Sequence, residues 1–236
     1  MKKRQSQKNL WRYYLVKYKA VIFDLDGVIV TTDNCHYLAW KKMADEQNIF
    51  FDREINERLR GVSRMESLNI ILERADKKYS EIEKEKMATK KNSYYVDIIK
   101  TLNKSAVLPG AIEFCNELIN NNIKIAIGSS SKNAGIILKQ VELDKLFEAI
   151  ADGNDIKNSK PDPEVFLLAS KKLGISPKYC LVVEDAVAGV EAAKLAGMDV
   201  VALGAASLNK NATYNFEGLF SITNGDKSIF KEIMGF

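Results

Sequence analysis

Five short apolar runs, each breaking off into a polar loop, constrain this chain more than any other feature. Ala20-Val21-Ile22-Phe23 stops at Asp24-Leu25-Asp26-Gly27, and residues 123–127 stop at Gly128-Ser129-Ser130-Ser131. Residues 148–151 lead to the loop before Lys160-Pro161, 179–183 stop at Glu184-Asp185, and 200–203 stop at Gly204. Apart from Lys124 and Glu148 the runs are apolar rather than alternating, which marks strands covered on both faces. Helical stretches over 110–121, 132–141, 163–173 and 186–196 separate them, with Gly174 and Gly197 as stop signals after two of them. The expected core is α/β, a doubly wound parallel sheet.

Between the first run and Pro109 there is no strand signal. Residues 32–104 are charged, helical text with apolar positions at three- and four-residue steps, including Leu59, Leu68, Ile71 and Leu72. That is too long for a simple crossover, so it is expected to be an inserted all-helical cap domain, placed over the carboxyl ends of the strands where such sheets bind ligands. The core domain is then 19–31 with 105–236, and residues 1–18 form a basic extension. The first nineteen residues carry seven Lys or Arg and no acid, against a net charge of +4, so the rest of the chain is mildly acidic. Arg12 and Lys17 interrupt the apolar residues near the start, which argues against a signal peptide. No apolar run approaches the roughly 18–20 residues that cross a bilayer. Cys35, Cys115 and Cys180 are scattered and never in CxxC spacing, as free thiols of a reducing compartment would be. A cytoplasmic monomer without nucleic-acid or membrane partners is the expectation.

The polar residues fall in a pattern. Asp24 with Asp26, then Ser129, Lys160, and Glu184 with Asp185, stand at or just after the ends of successive expected strands, so they converge on one crevice. Clustered acids raise each other's pKa and call for a cation. An oxygen-only cluster selects a hard ion, and Mg2+ suits phosphate chemistry because it bridges carboxylate and phosphate oxygens. Lys160 adds a compact positive charge and Ser129 a hydroxyl near a helix start. Together these describe phosphoryl transfer through an aspartyl phosphate.

The segments Asp24-Leu25-Asp26-Gly27-Val28, Ser129, Ser159-Lys160-Pro161-Asp162-Pro163 and Val183-Glu184-Asp185-Ala186 resemble the four signature motifs of the haloacid dehalogenase superfamily, in order, across about residues 19–204. Within it, Leu59-Arg60-Gly61-Val62-Ser63-Arg64 is similar to the substrate-recognition loop of the beta-phosphoglucomutase family. Thr32, His36, Trp40, Lys91 and Asn92 match that family's cap positions, and Ser131-Lys132-Asn133 matches its core phosphate loop. The resemblance implies an isomerase that interconverts beta-glucose 1-phosphate and glucose 6-phosphate through a bound glucose 1,6-bisphosphate. It implies Asp24 as nucleophile and Asp26 as general acid and base, with Ser129 and Lys160 steadying the phosphoryl group. Mg2+ is implied on Asp24, the Asp26 carbonyl, Glu184 and Asp185. Arg64, with backbone groups of Gly61 and Val62, would grip the non-reacting phosphate. Arg60 stands where the family carries a lysine, so charge is kept and geometry differs.

Other readings stand beside this one. Trp40 serves equally as cap core or substrate wall, and Lys91 lies in a lysine-rich stretch that reads as a solvated face. A phosphatase of the same superfamily, acting on a sugar phosphate or phosphoglycolate, would share the core residues. A catalytically silent binding protein of the same fold would have lost an acid from the crevice, and none is missing.

Overall fold

The structure, a computed structural model, describes residues 17–59, 63–223 and 227–235. It divides into two compact units: Thr32–Asn103 is one, and the chain up to Thr31 together with the part from Lys104 onward is the other.

The larger unit is built on a six-stranded parallel sheet. Its strands are β1 (Ala20–Phe23), β2 (Lys124–Gly128), β3 (Ala149–Ala151), β4 (Cys180–Glu184), β5 (Asp199–Leu203) and β6 (Tyr214–Phe216), in the order β3-β2-β1-β4-β5-β6. All four residues of β1 are buried, as central strands of such sheets require. Its alternate side chains feed two layers. Ala20 and Ile22 join Ala126, Val182 and Val200 in a cluster completed by Phe166, Ala169, Val190 and Ala193. These last come from the helices Glu164–Leu173 and Val187–Leu195. On the opposite face the Phe23 ring meets Phe114 edge-on at 5.9 Å and Phe147 at 6.2 Å, and Phe114 meets Phe230 at 5.7 Å. Phe114 lies in Ala111–Asn120 and Phe230 in Lys227–Met234. Helices therefore cover both faces, as the unbroken apolar runs predict.

Register places the chemistry. Phe23 pairs with Ile127 on one side and Val183 on the other, so Asp24, Gly128 and Glu184 form the next row, with Ser129 and Asp185 one step beyond. β6 is an edge strand that apolar periodicity does not announce, because Tyr-Asn-Phe is not an apolar run and is only partly buried.

The smaller unit is all helical among its described residues: α1 (Asp33–Glu46), α2 (Arg53–Glu57), α3 (Arg64–Leu72) and α4 (Glu81–Ile99). Trp40, Met43, Ile49, Phe51, Leu68, Ile71 and Met87 form its core. Sequence punctuation sets the helix starts. Asp52 and Ser63 cap α2 and α3, and Ser80 with Glu83 forms a full capping box on α4. Arg64, expected in a loop, is the first residue of α3. Arg60, Gly61 and Val62, and almost all of the basic extension, lie outside the described residues. No helix among the described residues is long and apolar enough to cross a membrane, and the three cysteines are free and buried.

The aromatic layer under β1 packs on Phe23, the last residue of the strand that leads into Asp24. Phe114→Ala should cost about 3–5 kcal/mol of unfolding free energy, read by urea denaturation. A loss below about 1 kcal/mol would mean that this layer does not hold β1.

Candidate active site

In the larger unit, Asp24 is set by its own N–H, which donates to the Val183 carbonyl at 2.9 Å and continues the β1–β4 ladder by one residue. Gly27 turns the chain with φ +88°, and a Cβ there would overlap the Asp185 carboxylate. A glycine is thus needed twice over, for the backbone and for the acid packed on it. Glu184 is 1% exposed. One of its oxygens accepts from the N–H groups of Asp185 (3.2 Å) and Ala186 (3.0 Å). Gly189, in the helix that follows, leaves the space in which this carboxyl lies. That glycine was not foreseen; an isolated glycine inside a helical stretch was the available signal.

Lys160 ties the acids together. Its ammonium donates to Asp24 Oδ1 and, at 2.7 Å, to Glu184 Oε2, while standing 4.6 Å from the centre of the Phe166 ring. Burial alone would lower its pKa, but the two carboxylates outweigh burial and raise it. The acids are less well compensated. Burial raises the Glu184 carboxyl, with Lys160 opposing. Burial, then the charges of Glu184, Asp24 and Asp26, push Asp185 up to about 8. Asp24, Glu184 and Asp185 each offer an oxygen within 4.8 Å of the others, a set that could hold a metal ion. Ser129 is buried and its hydroxyl accepts from the Ser131 N–H at 3.2 Å. Ser131 accepts in turn from the Asn133 N–H at 3.2 Å, so Ser129, Ser131 and Asn133 belong to one wound loop.

In the smaller unit, Thr32, His36, Trp40 and Lys91 come together. Lys91 is 3% exposed, so the solvated-face reading does not hold for it. Its Nζ lies 2.9 Å from His36 Nδ1 and 4.9 Å from the ring centres of both Trp40 and Tyr95. The Tyr95 hydroxyl donates to Thr32 at 3.3 Å, and its ring lies 4.2 Å from that of His36. These partners of Lys91 are an imidazole and two rings, not a carboxylate. Burial, then the Arg64 charge, lowers Lys91 to about 7. Burial, then Lys91 and Arg64, lowers His36 to about 3, so the imidazole beside the Lys91 amine is neutral. Arg64 is exposed and donates to Asn92 at 2.9 Å.

A parallel sheet of this order with a lysine bridging two strand-end carboxylates defines a class, and sequence comparison agrees with it. Residues 18–197 match the family profile of haloacid dehalogenase-like hydrolases, and the chain belongs to that family. It is similar to the beta-phosphoglucomutase of Bacillus subtilis, 46% identical over 79% of this chain and 83% of that protein. The phosphorylated carbohydrates phosphatase of Thermotoga maritima is 29% identical over 92% of this chain and 100% of its own length. Among solved structures, the beta-phosphoglucomutase of Clostridium difficile superposes with a TM-score of 0.76 at 41% identity, covering 92% of this chain and 97% of the other.

The buried amine of Lys91 gives a pH test. Its pKa in the fold, about 7, lies below the ordinary 10.5, so between those values the unfolded chain binds the extra proton and stability rises with pH. Lys91→Met should raise Tm by several degrees at pH 6, and the gain should shrink toward pH 10. No gain at pH 6 would show that the charged amine is well solvated in the fold.

Proposed function

We propose that this chain is a beta-phosphoglucomutase that interconverts beta-glucose 1-phosphate and glucose 6-phosphate through an aspartyl phosphate and a bound glucose 1,6-bisphosphate. The observation that carries the phosphoryl-transfer part is the bridge from Lys160 to both Asp24 and Glu184 at the strand ends. The mutase part is supported by the similarity to the Bacillus subtilis enzyme and by the buried cluster of Thr32, His36, Trp40 and Lys91.

The carboxyl set fits a hard divalent ion. Three acids face one lysine, and burial, then the charges of Glu184, Asp24 and Asp26, push Asp185 up to about 8. Mg2+ would be held by Asp24, Glu184 and Asp185 with the Asp26 carbonyl, and when bound it would offset the charge of the phosphate and of these carboxylates.

In one half-reaction an Asp24 oxygen forms a bond to the phosphorus carried on O1 of the bisphosphate while the bond from that phosphorus to the sugar oxygen breaks, leaving glucose 6-phosphate. Asp26 gives that oxygen its proton. In the other half-reaction the 6-hydroxyl of beta-glucose 1-phosphate loses its proton to Asp26 and takes the phosphoryl group from Asp24, which forms the bisphosphate. Lys160 holds Asp24 in place and, with Ser129, stabilises charge on the transferring group. In the smaller unit Arg64 is a guanidinium suited to a phosphate, with Arg60, Gly61 and Val62 beside it in sequence; in the larger unit the loop of Ser131, Lys132 and Asn133 is read as a phosphate-binding segment. Lys91 keeps a costly buried amine for an anionic ligand, with His36 and Trp40 as its supports. In this reading the enzyme works as a monomer on a small sugar phosphate in the cytoplasm.

A sugar-phosphate phosphatase is the second reading, favoured by similarity to the Thermotoga maritima phosphatase over that protein's whole length. Product analysis separates the two. Incubated with Mg2+, beta-glucose 1-phosphate and a trace of the bisphosphate, the enzyme should form glucose 6-phosphate in large excess over free phosphate, and chelating the metal should stop it. Free phosphate as the main product would favour the phosphatase.

A further inference from the structure

The loop Asp152–Asp155, which leaves β3, takes no part in the chemistry assigned to Asp24. Yet it makes several contacts with the loop that follows β2. The Gly153 N–H donates to the Ser131 carbonyl at 3.1 Å, and the Asn154 side-chain amide donates to the Lys132 carbonyl at 2.8 Å. Gly153 is itself buried against this loop: a Cβ there would overlap the Ser130 carbonyl and lie 2.9 Å from the Lys132 nitrogen.

Asn154 is aimed rather than loose. Asp152 accepts from the Asn154 N–H at 2.8 Å and from its amide at 3.3 Å. Asp155 accepts from the Asp152 N–H at 3.2 Å and pairs with Lys172 at 2.7 Å. The carbonyls of Ser131 and Lys132 are thereby both held on the Asp152–Asp155 side. In a trans peptide the N–H points opposite to the C=O, so the Lys132 N–H is turned to the far side of the loop. Ser129 and Ser131 wind the same segment from within, through their hydroxyls.

We propose that Asn154 is a positioning residue that sets the Ser131–Asn133 loop for the non-reacting phosphate of the sugar. This rests on the reading of that loop as a phosphate-binding segment. Asn154 touches neither the phosphate nor Asp24. It acts by holding the Lys132 carbonyl away, so that the Lys132 N–H and the Lys132 and Asn133 side chains are presented as one set, while the Ser131 and Asn133 N–H groups stay on the Ser129 and Ser131 hydroxyls. Gly153 is the companion requirement, since any side chain there would push the two loops apart.

The test compares Asn154→Asp, which keeps the size and removes the donor, with Asn154→Ala, which removes the side chain without placing a carboxylate near the Lys132 carbonyl. One hydrogen bond lost from a positioned binding loop should raise KM for beta-glucose 1-phosphate about fivefold, with kcat held within about twofold. Asn154→Asp should be the more severe of the two. A purely structural role would instead lower Tm and kcat and leave KM alone. A KM within about twofold of wild type in both folded variants would overturn the proposal. The wild-type product distinguishes this outcome from failure of the mutase reading. If wild type releases free phosphate instead of glucose 6-phosphate, the KM comparison is made on that hydrolysis, with the same two outcomes.

Discussion

Lys160 holds two buried carboxylates at once, and the arrangement of the larger unit follows from the need to bring that about. An isolated charge in an apolar interior costs several kcal/mol, so it persists only with a partner. Asp24 and Glu184 belong to neighbouring strands and stand in the same row of the sheet, while Lys160 reaches them from the far end of the connection after β3. The β1–β4 register fixes the spacing of the acids, and Gly27 and Gly189 clear room for Asp185 and Glu184. Glu164 serves the same end. Its carboxylate accepts from the N–H groups of Lys157 and Asn158 and so braces the segment that delivers Lys160.

The balance of charge is deliberate in its shortfall. One ammonium faces three carboxylates, and Asp185 is pushed up to about 8, first by burial and then by its negative neighbours. Strongly shifted carboxyls gathered at strand ends mark a candidate working site. The smaller unit shows the opposite excess. Lys91, with Arg64 as its charged neighbour, is a cation kept in an aromatic setting with a neutral imidazole. One unit has surplus negative charge suited to a cation, and the other surplus positive charge suited to an anion.

Much of this was legible in the sequence because buried parallel strands write themselves as unbroken apolar runs that end where charges begin. Asp24, Glu184 and Asp185 are visible in that way. β6 was not, because an edge strand such as Tyr-Asn-Phe needs no apolar run. Lys91 was ambiguous among its lysine neighbours, although it falls in step with Met87, Tyr95 and Ile99 on the buried side of α4. The spacing carried the answer, and residue type concealed it. Asn154 and Gly153 left no usable trace. A turn-forming Asp-Gly-Asn-Asp segment reads as loop whatever it touches, and its contacts with Ser131 and Lys132 exist only once β2 and β3 pair. Arg64, read from its motif as part of a loop, opens α3, since Ser63 is as good a helix cap as it is a loop residue.

The claim on which the rest depends is that Asp24 takes the phosphoryl group. Rapid acid quenching of the enzyme after mixing with Mg2+ and the sugar bisphosphate, followed by mass analysis of its peptides, measures this directly. Phosphate is expected on the peptide that contains Asp24, lost in Asp24→Asn, and formed fast enough to lie on the path of turnover. Phosphate on a different residue, or full turnover by Asp24→Asn, would contradict it.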